Sequence, residues 1–138
     1  MASYGGGHVS ALLPLARRLQ ADERVELICL GFTTARAVFE AAGFAVIGAR
    51  DMLEPGDEDW LALAEPFLEP VQHAAIQPED ALAYYAVGLK DLARSMGLDV
   101  ALEHIKLQGR HCFEPVHSCR VLLQRLAPDL LITSTCPR

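Results

Sequence analysis

Along this chain the apolar positions alternate between short continuous runs and stripes spaced three or four residues apart. That switching predicts strands alternating with helices, and hence a parallel sheet. Val9, Leu12, Leu13, Ala16 and Leu19 fall at helical spacing with Arg17, Arg18 and Gln20 opposite, so 8–20 is predicted as a helix on a sheet, loosened by Pro14. The run at 25–32 (VELICLGF) reads as a strand, followed by Thr33 and Thr34 as an N-cap and a helix over 35–42 closed by Gly43. A second run at 44–48 (FAVIG) reads as a parallel strand buried on both faces.

Beyond residue 57 the pattern turns helical, broken into short pieces around Pro55, Pro66 and Pro70. Pro78, Glu79 and Asp80 suit a first helical turn, and Leu82, Tyr85, Leu89, Leu92 and Met96 continue the stripe to Gly97. Another helix is predicted over 99–107. The next starts near Pro115, presents Val116, Cys119, Leu122, Leu123 and Leu126 inward, and stops at Pro128. The run at 129–135 (DLLITST) reads as a third strand, its polar end at the carboxyl edge where open α/β sheets hold ligands.

A length of 138 residues suits one domain. With 12 basic against 18 acidic side chains, the formal charge of -6 argues against a nucleic-acid partner, which needs clustered Lys and Arg. The longest stretch without Asp, Glu, Lys or Arg, 1–16, holds three glycines and Pro14 and falls short of the ~20 residues of a membrane span. It also lacks the parts of an export signal, so the expected location is cytoplasmic. Cys29, Cys112, Cys119 and Cys136 lie too far apart for a stapled secreted domain and read as reduced, mostly buried thiols.

Gly5, Gly6, Gly7 and His8 lead straight into the first helix. Glycines let backbone approach a ligand, and a helix amino terminus offers unpaired N–H groups with partial positive charge, which suits a phosphate or a sugar hydroxyl. The run is neither G-x-G-x-x-G nor a phosphate loop ending in Gly-Lys-Ser/Thr, and a plain glycine turn capped by His8 is the competing reading. His111, Cys112, His117 and Cys119 lack the paired spacing of a zinc site and read as buried thiols and surface histidines, so no metal is expected. The acidic run at 54–59 lacks the ligand series of a calcium loop and reads as solvated. Trp60, Leu61, Leu63, Phe67 and Leu68 read as core or domain-contact residues, with an apolar lip for a lipid-linked acceptor as the alternative.

The segment 3–19 (SYGGGHVSALLPLARRL) resembles the start of GT-B fold glycosyltransferases, such as the peptidoglycan N-acetylglucosaminyltransferase and the bacterial UDP-glycosyltransferases, and of their UDP-N-acetylglucosamine 2-epimerase relatives. The segment 127–138 (APDLLITSTCPR) is similar to a later strand and loop of the same domain. The resemblance implies an α/β fold, a Rossmann-like three-layer parallel sheet forming the acceptor-side half of GT-B. It implies transfer of a sugar from a nucleotide sugar to a glycan or lipid-linked acceptor hydroxyl, in bacterial polysaccharide or cell-envelope glycan synthesis. His8 is then the catalytic base or a phosphate ligand, and Gly5, Gly6, Gly7, Ser134 and Thr135 contact substrate, with Thr133 on the same rim. No cofactor is implied beyond the nucleotide sugar as co-substrate, and peripheral membrane contact fits a lipid-linked acceptor.

Such a glycine loop normally follows a strand, yet only 1–4 precede it, so the first strand is expected to be missing and 1–138 to be one incomplete domain. The carboxyl-terminal half, or a partner subunit, would supply the donor site, and the chain alone is expected to be inactive. Epimerase chemistry, or a non-catalytic sugar- or nucleotide-binding module, are the other readings.

Overall fold

The computed structural model describes residues 2–3, 6–68, 77–108 and 115–133. They fall into two units, one taking the described residues up to 48 with 77 and 129–133, the other 49–68 and the described part of 78–128.

In the first unit Ala2–Ser3 forms β1, Gly6–Gln20 α1, Cys29–Gly31 β2, Thr34–Ala41 α2 and Val46–Ile47 β3. The strands are parallel in the order β1-β2-β3, with Ser3 beside Gly31 and Leu30 beside Ile47. Parallel neighbours need a crossover, which α1 and α2 supply. Because the order advances in one direction, right-handed crossovers put both helices on the same face, where they pack together. Val9 and Ala16 of α1, Cys29, Ala35 and Phe39 of α2, and Phe44 form the core, closed by Leu12, Leu19, Val46 and Ile132. The Phe39 and Phe44 rings meet edge to face at 6.1 Å.

The turn from β2 into α2 is tight. A Cβ on Gly31 would stand 2.9 Å from the Arg36 backbone nitrogen and 3.0 Å from Val46 Cγ1, so glycine is required for the strand and helix to approach. Thr33 occupies the predicted cap position but at φ 49°, ψ -123°, and its side chain makes no capping bond. The turn is closed instead by the Ala35 N–H donating to the Phe32 carbonyl at 3.0 Å, which leaves a β-branched residue in a strained conformation.

The second unit is helical. A 3₁₀ turn at Ala49–Met52 precedes α3 (Glu58–Ala64), a 3₁₀ turn at Glu65–Phe67, α4 (Pro78–Met96), α5 (Leu98–Gln108) and α6 (Val116–Leu126). Gly97, at φ 85°, takes the left-handed turn between α4 and α5. The hub is α4, packed against α3, α5, α6 and the Ala49–Met52 turn. Of its predicted stripe only Leu89 is buried, while Met96 is exposed; the positions that face inward include Ala83, Val87, Lys90 and Asp91. Small residues let neighbouring helices come close, and the two charges enter because partners await them. The α6 stripe is likewise only half-covered, with Val116 exposed and no residue fully buried.

The helices are close to where periodicity predicted them, but the fold class is not. The described residues hold six α-helices and strands of two, three and two residues, which is not the expected α/β fold with a Rossmann-like three-layer parallel sheet, and so not half of a GT-B architecture. A third layer requires the strand order to reverse so that a crossover reaches the opposite face, and within the first unit it never does. The predicted third strand supplies no such reversal: 129–132 carry no strand, Thr133 makes an isolated bridge, and Leu130 and Leu131 are exposed. The strand expected to be missing before the glycines is present as the two-residue β1.

Gly31→Ala is expected to destabilise the protein by about 1–3 kcal/mol, because the added methyl meets backbone that cannot step aside. The check is the urea midpoint, and an unchanged midpoint would show that the β2–α2 contact is looser than this.

Candidate functional site

In the first unit β1 ends at Ser3 and α1 begins at Gly6, so only Tyr4 and Gly5 connect them. Ser3 pairs with Gly31, the last residue of β2, and the connection therefore starts from the carboxyl edge of the parallel sheet. Gly6, Gly7 and His8 form the first turn of α1, so two of the predicted loop glycines are helical. Their N–H groups are among the first four of the helix, which lack acceptors within it and carry the positive end of its dipole. Gly5, Ser134 and Thr135 lie outside the described residues, and Thr133 is exposed. The structure thus gathers Gly6, Gly7 and His8 into one turn.

In the helical unit one acid of the run expected to be solvated is instead drawn inward: Asp57 is buried, while Glu54, Glu58 and Asp59 stay exposed as expected. Lys90 and Asp57 have side chains only 9% and 8% exposed, and Lys90 Nζ donates to both Asp57 oxygens at 2.8 Å and to Glu54 Oε2 at 3.1 Å. That uses all three ammonium protons. The Glu54 N–H donates to Asp57 Oδ2 at 2.9 Å, and Arg125 Nη2 reaches Glu54 Oε1 at 3.3 Å. One residue along α4, Asp91 accepts the Ser118 N–H at 2.7 Å and its hydroxyl at 2.8 Å, capping α6 from a neighbouring helix. The available signal was Lys90 following the apolar and small-residue run 81–89 of α4, with two acids three residues apart upstream.

The electrostatics make this cluster a scaffold rather than an acid–base pair. Burial alone would raise the Asp57 pKa, but the Lys90 bonds, the Glu54 N–H and the Lys90 and Arg94 charges outweigh it and hold the carboxyl below its ordinary range. Burial likewise opposes the Lys90 charge, and the hydrogen bonds from Asp57 and Glu54 overcome it, so Lys90 titrates above its usual value. The Lys90 hydrogen bond and charge, with Arg125, also lower Glu54. All three groups are charged at neutral pH, and a fully bonded ammonium is neither nucleophile nor base.

The described thiols are equally quiet. Burial pushes Cys119 up to about 11 and raises Cys29 as well, so neither presents a thiolate at neutral pH. His117 is exposed, and His111 and Cys112 lie outside the described residues. Among the described residues no three His, Cys, Asp or Glu side chains converge to hold a metal ion, and no helix is long and apolar enough to cross a membrane. Trp60, Leu61, Leu63, Phe67 and Leu68 are all half-buried. Compared with known proteins, the chain matches no protein-family model, no curated protein and no solved structure.

Lys90→Met strands a buried Asp57 carboxylate and is expected to cost about 3–5 kcal/mol, whereas Lys90→Met with Asp57→Leu recovers most of that. Fluorescence of the single Trp60, in α3, reports the loss during urea unfolding.

Acid should find the same cluster. Asp57 and Glu54 have lowered folded-state pKa values, so their contribution is complete above the ordinary carboxylate values of 3.8 and 4.5 and disappears as pH falls through the folded values. Stability measured from pH 7 downward should hold level to about pH 5 and then drop, less steeply in the Lys90→Met, Asp57→Leu protein. Equal acid slopes in the two proteins would remove the cluster from the account.

Proposed function

We propose that this chain takes part in moving a glycosyl group from a nucleotide sugar to an acceptor hydroxyl, and that the first turn of α1, where it follows β1, is where its ligand is held. One observation carries the reading: the glycine run resembling that of sugar-nucleotide enzymes passes from a parallel strand directly into the first turn of a fifteen-residue helix. Parallel strands aim their carboxyl ends at ligands, and the N–H groups at Gly6, Gly7 and His8 suit an oxyanion or a sugar oxygen. This support comes from the local β1–α1–β2 unit and needs no three-layer sheet.

In this reading the His8 imidazole takes the proton of the acceptor hydroxyl as the oxygen attacks the anomeric carbon and the nucleoside diphosphate leaves. Charge on the departing diphosphate must be neutralised, a task assigned to a second domain or subunit. Gly5, Ser134 and Thr135 would complete the contacts to substrate. The acceptor is a glycan or a lipid-linked sugar, and use of a nucleotide sugar fits a cytoplasmic setting.

The test is calorimetric titration of the purified chain with UDP-glucose, UDP-N-acetylglucosamine and an acceptor glycan. Gly6→Val should abolish the binding seen with the unaltered chain, because a β-branched side chain stands where backbone must approach the ligand. In the complete transferase His8→Ala should leave binding intact and slow transfer by about 10²-fold or more. Binding that produces neither transfer nor 2-epimerisation once the second component is present would favour a non-catalytic module. Absence of binding to any of these ligands would defeat the proposal.

A further inference from the structure

Arg94 stands one turn beyond Lys90 on α4 and, among the described residues, its side chain makes no hydrogen bond or ion pair. Its charge nevertheless bears on the buried cluster, where it helps keep Asp57 ionised. Arg94 and Arg125 line one shallow, solvent-open cleft in the helical unit, lined also by Met52, Val121 and Leu122.

The acids nearby are largely engaged. Lys90 occupies both oxygens of Asp57 and one of Glu54, while Arg125 meets the other Glu54 oxygen only at 3.3 Å, long for a charge-assisted bond, with its side chain 66% exposed. Asp51 lines the cleft as well and has interactions of its own. An anion is therefore held there only if the two guanidinium groups outweigh Asp51 and Glu54.

We propose that this cleft binds the phosphoryl group of a small molecule, with Arg94 of α4 and Arg125 of α6 as its cationic ligands. A planar carboxylate is satisfied by a single guanidinium fork, whereas a tetrahedral phosphoryl group presents oxygens to donors arriving from two helices. The site lies wholly in the helical unit and does not rest on the sugar-transfer reading.

The experiment is titration of the full chain with inorganic phosphate, followed by the broadening of its phosphorus resonance, against sodium chloride at equal ionic strength. Arg94→Gln and Arg125→Gln should each weaken binding by about tenfold or more, and Asp51→Asn should strengthen it. Thermal melts of each variant separate lost binding from lost folding. A parallel titration with glycerol 3-phosphate distinguishes the source: tighter binding than inorganic phosphate assigns Met52, Val121 and Leu122 to the ligand's carbon body, and equal binding assigns the site to free phosphate. A response no larger than that to chloride overturns the proposal. So does an Arg94→Gln protein that melts earlier yet binds phosphate as before, because Arg94 would then serve only the carboxyl end of α4.

Discussion

The helical unit depends on one buried ion pair. Removing Lys90 and Asp57 from water is costly, and the arrangement is tolerable only because each ammonium proton finds an oxygen and the carboxylate also accepts a backbone N–H. Those demands fix positions. Asp57 immediately precedes α3 and Lys90 is in the middle of α4, so saturating the pair holds the start of α3 against α4. Glu54 extends the cluster to Arg125 near the end of α6, while Asp91 grips its start through Ser118. Helix α6 is tied at both ends by polar contacts although none of its residues is fully buried.

The other unit is built on the opposite principle. Its core of Val9, Ala16, Cys29, Ala35, Phe39 and Phe44 is apolar, and the critical constraint is steric. Gly31 lets β2 run directly into α2, and the strain of that turn is carried by Thr33. Because β1 lies beside β2 in register, the short connection carrying Gly5 starts from the same carboxyl edge. The sheet is too small to define a fold class, but it is enough to orient the first turn of α1.

Periodicity was a good guide to helices and a poor guide to the sheet. The stripe from Val9 to Leu19 and the Pro78-Glu79-Asp80 start led to α1 and α4 with nearly the observed ends, because a helix closes its backbone bonds within its own segment. A strand borrows its bonds from a neighbour, so an apolar run alone does not establish one. The run at 129–135 illustrates this: its residues favour strands, yet Leu130 and Leu131 are left exposed and only Thr133 makes a bridge. Of the candidate site, the glycine run was visible because glycine is itself a backbone signal, and Gly6, Gly7 and His8 do share one helical turn. The Lys90 cluster was not visible, since Glu54 and Asp57 are 36 and 33 residues away along the chain.

The amino-acid sequence by itself determined the helical segments, their glycine stops and the glycine-rich entrance to α1, since each follows from local backbone preference and side-chain period. Only the tertiary structure decided which face of α4 turns inward, that the acid at 57 is removed from water, and that the strand order advances without reversing. Burial of a charge and completion of a sheet both require partners distant in sequence, and local pattern carries no record of which distant groups will meet.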